Sequence, residues 1–146
     1  MPGLTALDVA KYFLSKMSDE CGDVISNLKL QKLVYYAQGF HLALMGRPLF
    51  KEQIKAWQHG PVIPSLYDKY KEYEARGIPR PDSIDLSKYD KPTVELLDEV
   101  YEVFGQFSAW KLRNMTHEEP PWKDTPMGGV ITCPAMKKYF ETQLTN

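Results

Sequence analysis

Apolar residues recur every three or four positions along most of the chain, and this spacing is typical of amphipathic helices. The first such stripe covers residues 7–17, and we expect the helix to end within residues 18–22. Thr5 with Asp8 three residues later predicts a capping box at its start. The same spacing predicts four later helices, over residues 65–77, 93–107, 109–119 and 134–146.

The segment 27–46 is the most apolar of the predicted helices. Ser26 or Asn27 can cap its start, and Gly46 followed by Pro48 can end it. Its apolar residues fall on nearly every side of a helix rather than on one stripe. A helix of this kind belongs in the middle of a domain, surrounded by other elements.

Three segments do not keep a helical period. Residues 48–63 contain a His-Gly-Pro turn signal and predict a compact loop with one or two very short strands, before Pro64 opens the next helix. Residues 77–92 are rich in prolines and predict a surface connection. Consecutive prolines predict an extended or turned course for residues 118–129. Candidate caps for the last three helices are Asp90 or Pro92, Ser108, and Thr132 or Cys133.

These patterns predict a mainly α fold. We expect a single compact helical bundle of about six helices, with at most a very short β element near residues 49–63. The length of 146 residues suits one domain, which we place at residues 1–146.

Composition and charge narrow the function classes. The formal net charge is −1, so the broad basic face on which nucleic-acid binding depends is not expected. No apolar run approaches the roughly 18 residues of a membrane span, and the N-terminus lacks the apolar core of a signal peptide. Two cysteines without a CxxC motif fit a reducing compartment. We therefore expect a cytoplasmic protein without a membrane or nucleic-acid partner.

The residues that usually carry metal, cofactor or thiol chemistry are scattered. His41, His59 and His117 form no local ligand pair, and no cysteine cluster accompanies them. Cys21 lies in an acidic stretch that opposes thiolate formation, and Cys133 at a predicted helix start is a weak signal alone. We predict no metal and no cofactor.

An acid–base enzyme is the alternative that these residues leave open. Such an enzyme would use His117 with Glu118 or Glu119 beside a cleft lined by tryptophan. A structural interpretation competes with it, because two similar corners, around Trp57 and Trp122, each combine tryptophan, histidine and proline. We expect these corners to brace the same part of the bundle.

The central segment and the second corner resemble the Panacea domain, a family that includes phage-associated GepA-like proteins and SocA-like antitoxins. The shared pattern is L-x-L-Q-K-L-x-Y-x-x-Q-G, then A-W-x-x-G-P-V, then T-H-x-x-x-P-W, and the resemblance extends from about Leu7 to Phe140. The signature residues, which we expect to be structural, are Leu28, Gln31, Lys32, Leu33, Tyr35, Gln38, Gly39, Trp57, Gly60, Pro61, Thr116, His117, Pro121 and Trp122.

The resemblance implies an interaction protein that is not an enzyme. Members of the family are antitoxins that neutralise a toxin encoded beside them, generally by direct binding, and the SocA-like branch delivers its toxin to a protease. The expected partner is therefore a toxin protein of a prophage or mobile element, with a protease as the alternative partner. The family supplies no catalytic residues. Interfaces favour aromatic residues, so Tyr36, Tyr70 and Tyr73 are candidates for partner contact.

Overall fold

A computed structural model describes residues 3–17, 24–73 and 76–144. Within these ranges the predicted mainly α fold with a short β element is confirmed, with seven α-helices and a three-stranded sheet. The helices are α1 (Ala6–Ser15), α2 (Asn27–Met45), α3 (Pro64–Tyr70), α4 (Lys91–Phe104), α5 (Ala109–His117), α6 (Pro120–Lys123) and α7 (Cys133–Glu141). The strands are β1 (Ile54–Trp57), β2 (Gly60–Val62) and β3 (Val130–Ile131). Of the helices described, none has the length and apolar character that crossing a membrane requires.

Five helices begin at a side-chain cap that the sequence predicts. Each capping oxygen accepts a hydrogen bond from the backbone N–H three residues later, where the helix itself supplies no acceptor. In α1, Asp8 also accepts from the Thr5 N–H, which completes the predicted capping box. The five capping residues are Thr5, Ser26, Asp90, Ser108 and Thr132.

Helix α2 lies at the centre of the fold. It packs against α1, α4, α5, α7 and β2, and most of its side chains are buried. It ends at Gly46, which adopts a left-handed conformation with φ of 76°, where a residue with a Cβ is strained. The prediction that the segment 27–46 is a central helix is therefore confirmed.

The sheet is one strand larger than the sequence indicated. β1 lies between β2 and β3 and is antiparallel to both. The pairing of β1 with β2 is the short β element expected near residues 49–63. β3 was not predicted, because two residues carry no alternation and their pairing comes from a segment distant in sequence.

Helix α6 corrects the expectation that residues 118–129 are extended or turned. Pro120 and Pro121 occupy its first positions, where a missing N–H costs no hydrogen bond. The Lys123 and Asp124 amides donate to the carbonyls of Glu119 and Pro120. Two prolines therefore begin a short helix here rather than preventing one.

Several predicted helices are shorter in the structure. The helix expected over residues 65–77 ends at Tyr70 and continues as a 3₁₀ turn over Lys71–Tyr73, while residues 74 and 75 lie outside the described residues. Helices α4, α5 and α7 also end two to five residues before the predicted bounds. The first helix ends at Ser15, with Lys16 as its C-cap, and so stops before the expected residues 18–22, which lie outside the described residues.

Gly39 allows α2 and α7 to approach closely. A Cβ placed on Gly39 would overlap the ring of Phe140 on α7. Phe140 is itself buried and packs against Tyr35, Tyr36 and Phe40. A side chain at position 39 would therefore push α7 away from the core.

We predict that Gly39→Ala lowers the free energy of unfolding by about 1–3 kcal/mol, because overpacking exceeds the gain in helix propensity. Denaturant unfolding monitored by circular dichroism measures the change. Gly3→Ala is the matched control, since a Cβ at Gly3 meets nothing within 4 Å. Equal stability of the Gly39→Ala variant and the wild type would contradict this account of the helix contact.

Candidate functional site

Gln38 connects α2 to the irregular segment that follows it. Its side-chain oxygen accepts hydrogen bonds from the amides of Leu49 (2.7 Å) and Phe50 (3.4 Å), and its Nε2 donates to the Phe50 carbonyl at 3.0 Å. The glutamine is 1% exposed. A single side chain therefore supplies the hydrogen bonds that a buried loop backbone needs.

Gln31, two turns earlier on α2, does the same for the start of α3. Its oxygen accepts from the Ile63 amide at 3.0 Å, and its Nε2 donates to Asn27 at 2.8 Å. Asn27 in turn donates to the Tyr67 carbonyl at 3.1 Å. Both signature glutamines therefore hydrogen-bond to the backbone at the two ends of the segment that carries β1 and β2.

The two tryptophan corners contact each other directly. Trp122 donates its indole N–H to the Trp57 carbonyl at 2.8 Å. The His117 ring stacks on Trp122 with centroids 3.9 Å apart and an interplanar angle of 5°, and it also hydrogen-bonds to the backbone of Gln58. Trp57 packs edge-on against Tyr67. The corners therefore brace the β1–β2 hairpin against α5 and α6, as the sequence predicts.

Lys32 is buried beneath this hairpin. Its side chain is 0% exposed, and its Nζ has no hydrogen-bond partner among the described residues. Gly60, with φ of 113°, passes directly over it, so a Cβ there would lie 2.7 Å from Lys32 Cε and 2.9 Å from Thr116 Oγ1. Burial, together with the charge of Arg113, lowers the pKa of Lys32 to about 7.

Trp110 and Arg113 lie on the outer side of α5 and were not singled out from the sequence. Trp110 is 63% exposed, and the Arg113 guanidinium lies over its ring at 4.6 Å. Trp110, Arg113 and His117 are spaced by three and then four residues, which places them along one side of the helix. From that spacing, the sequence could have predicted that these three side chains lie together.

Glu119 is a buried carboxylic acid on the opposite side of the second corner. It accepts hydrogen bonds from Tyr36 at 2.8 Å and from Tyr35 at 3.3 Å. Burial raises the pKa of Glu119 to about 7, although the bonds from Tyr36 and Tyr35 act in the other direction. The side chain is 8% exposed, so the acid is an internal group of the core.

The enzyme alternative requires His117 to act with Glu118 or Glu119, and the structure does not bring His117 and Glu119 into hydrogen-bond contact. His117 stacks on Trp122 and bonds to the hairpin, whereas Glu119 bonds to the tyrosines of α2. The Nε2 atom of His117 is buried without a hydrogen-bond partner in the described part of the chain. Over the same residues no group of three His, Cys, Asp or Glu side chains is arranged to hold a metal ion.

The three tyrosines predicted to contact a partner lie in different settings. Tyr36 is 1% exposed, stacks on Phe104 and bonds to Glu119, so in this conformation its side chain belongs to the core and does not reach the surface. Tyr70 and Tyr73 are half-buried and lie next to each other, with ring centroids 6.3 Å apart. Partner contact through Tyr70 and Tyr73 stays a prediction.

Two open depressions adjoin these residues. One, of about 540 Å³, lies beside the hairpin and includes Leu28, Trp57, His59, Tyr67 and Met127 in its wall. The other, of about 400 Å³, is lined by Tyr36, Phe104, Glu118, Glu119 and Tyr139, together with neighbouring residues. Leu28 is thus at the surface of the fold, unlike Leu33, which is fully buried in the core.

A family model and a curated protein that match this chain are both described as antitoxins. Residues 30–123 match the family described as "Antitoxin SocA-like, Panacea domain". Antitoxin SocA from Caulobacter vibrioides (strain NA1000 / CB15N) is 54% identical over 43 residues, which cover 30% of this chain and 23% of that relative. The match therefore spans less than a quarter of the length of the curated relative. No solved structure gives a significant match.

The buried position of Glu119 predicts how the stability of the folded chain depends on pH. Its pKa in the folded chain is about 7 against an ordinary value of 4.5, so the folded state holds the proton more tightly. The contribution of protonated Glu119 to the free energy of unfolding is fully present below pH 4.5 and is lost as pH rises through 7. The loss amounts to at most about 3 kcal/mol. Glu119→Gln should remove this loss and should be more stable than the wild type at pH 8.

Denaturant unfolding at pH 5 and pH 8 measures the effect. Glu118→Gln is the matched control, because Glu118 is the exposed neighbour, and it should follow the wild type. Lys32 affects stability mainly at higher pH than Glu119 does. Because its pKa is lowered in the folded chain, its contribution to stability is fully present above pH 10.5 and is lost as pH falls through 7. A Glu119→Gln variant that declines between pH 5 and 8 as much as the wild type would refute the buried-acid explanation.

Proposed function

The chain belongs to the SocA-like antitoxin family with a Panacea domain, and from this premise we propose that it neutralises a partner toxin by direct binding. The observation that carries the proposal is the family match over residues 30–123, which runs from α2 to the end of α6. The curated relative is named an antitoxin as well. The proposal treats residues 1–146 as one Panacea-like domain that acts in the cytoplasm on a toxin of a prophage or mobile element.

The way the signature residues are used supports a binding role. Gln31 and Gln38 direct their polar groups to the backbone, and Trp122 joins the two corners. These contacts make a rigid support for the surface around the hairpin. Neutralisation by binding requires a surface of fixed shape, since a preorganised surface loses less entropy when a partner docks.

Exposed aromatic side chains offer contact area on this support. Trp110 on α5 is largely exposed, and tryptophan is enriched among the residues that dominate binding energy. Tyr70 and Tyr73 at the end of α3 stay candidates for the same reason. Tyr36 and the other buried aromatics act by shaping the core.

Growth rescue tests the proposal. The chain is expressed together with the toxic open reading frame adjacent to its gene, and growth is followed after the toxin is induced. We expect the chain to restore growth and to elute with the toxin as one complex in size-exclusion chromatography. A version with an early stop codon is the control, and it should leave growth arrested.

The abundance of the toxin separates neutralisation by binding from delivery to a protease. Direct binding predicts that quantitative immunoblotting finds the toxin at the same level with and without the chain. A fall in toxin level that disappears in protease-deficient cells would favour an adaptor and would overturn neutralisation by binding alone. Persistent growth arrest with both proteins expressed and folded would overturn the antitoxin proposal.

A further inference from the structure

Positively charged groups gather where α5 meets the hairpin. We call Trp110, Arg113, His117 and the underlying Lys32 the cationic stripe. Arg113 lies over Trp110, and Lys32 reaches the same region from α2, beneath Gly60 and next to Thr116 of α5. The stripe therefore joins an exposed aromatic residue to the fully buried amino group of Lys32.

Three buried polar atoms of the cationic stripe have no hydrogen-bond partner among the described residues. They are Lys32 Nζ, Arg113 Nε and His117 Nε2. All three are nitrogens, and the lysine side chain is 0% exposed. Most buried polar groups in proteins are hydrogen-bonded, so the unpartnered donor nitrogens of Lys32 and Arg113 indicate a place for an acceptor.

The surrounding charges do not balance the stripe. Arg113 disfavours positive charge on Lys32, and Arg113, Lys32 and His59 disfavour it on His117. Arg113 bonds to the neutral side chain of Asn114 at 3.1 Å. Among the described residues, no salt bridge involves Lys32, Arg113 or His117.

Packing alone does not explain a lysine at position 32. A methionine of similar length could fill the same space without placing an unpaired amine in the core, which costs free energy. The backbone of Gly60 covers the lysine, and Gln58 and His59, which precede Gly60 in the hairpin, are exposed. A ligand that docks against Arg113 and the hairpin would thus lie close to the lysine.

We propose that the cationic stripe is the docking site for an acidic side chain of the partner protein. The carboxylate would accept hydrogen bonds from the Arg113 guanidinium under the influence of Lys32, and Trp110 would pack on the adjoining partner surface. The chemistry of a carboxylate matches the planar guanidinium donors, and it supplies the missing negative charge. This inference rests on the proposed function for the identity of the partner as a protein.

A protein carboxylate fits the stripe better than a nucleic-acid phosphate. The chain has a net charge of −1, and the stripe is a small local cluster rather than a basic face that could follow a backbone. An exposed tryptophan beside an arginine is typical of the centre of a protein interface. Inorganic phosphate is therefore the probe that tests the nucleic-acid alternative against the protein carboxylate.

Titration of the full chain with a hexaglutamate peptide tests the inference without the toxin. We expect saturable binding by calorimetry, with shifts in the NMR signals of Arg113 Nε–H and the Gly60 amide. Lys32→Met and Arg113→Leu should each weaken binding about tenfold, since each removes one of the cations that attract the carboxylate. Lys111→Met, an exposed lysine on the same helix, should bind like the wild type. A hexaglutamine peptide at equal ionic strength should not bind.

Three outcomes would overturn the inference. They are no binding of hexaglutamate, binding by the Lys32→Met and Arg113→Leu variants that equals that of the wild type, and a preference for inorganic phosphate over the peptide. Arg113→Leu keeps the test decisive if Lys32→Met does not fold. Failure of the titration with growth rescue intact would remove the stripe as the docking site and leave the antitoxin function, whereas failure of growth rescue would remove that function whatever the titration shows.

Discussion

The hydrogen bonds from the buried glutamines of α2 are the constraint on which the rest of the structure depends. An irregular segment between two helices has backbone groups that no helix or sheet satisfies, and burying them unpaired is costly. Gln38 satisfies Leu49 and Phe50 at one end, and Gln31 satisfies Ile63 at the other. These four hydrogen bonds to the backbone set the position of the β1–β2 hairpin on the central helix, and the hairpin positions both tryptophan corners.

The core contains two ionisable groups of opposite sign that do not pair with each other. Lys32 lies under the hairpin with no acceptor in the described part of the chain, and Glu119 receives hydrogen bonds from two tyrosines on the other side of the second corner. Burial shifts both groups toward their neutral forms, with the pKa of each at about 7. If stability were the only requirement, apolar residues at both positions would serve better. Lys32 and Glu119 therefore lower the stability of the fold, which indicates that they meet a different requirement.

Much of this architecture could be predicted from the sequence. Helical spacing located six of the seven helices in the described residues, and the caps Thr5, Ser26, Asp90, Ser108 and Thr132 located the first turns of five of them. The resemblance to Panacea domains also named the residues that the hairpin and corners use. Helix ends were predicted less well, because the last turn depends on tertiary packing rather than on a local cap.

What the sequence determined by itself is local: the period of the helices, their caps, the turn at Gly60 and the family. Only the tertiary structure decided which groups meet, namely Trp122 with the Trp57 carbonyl, Gly39 with Phe140, and Lys32 with the underside of the hairpin. It also separated His117 from Glu119, which are two residues apart in sequence yet bond to different elements. The physical reason is that spacing along a chain specifies direction around one helix, whereas contact between distant segments follows from how whole faces pack together.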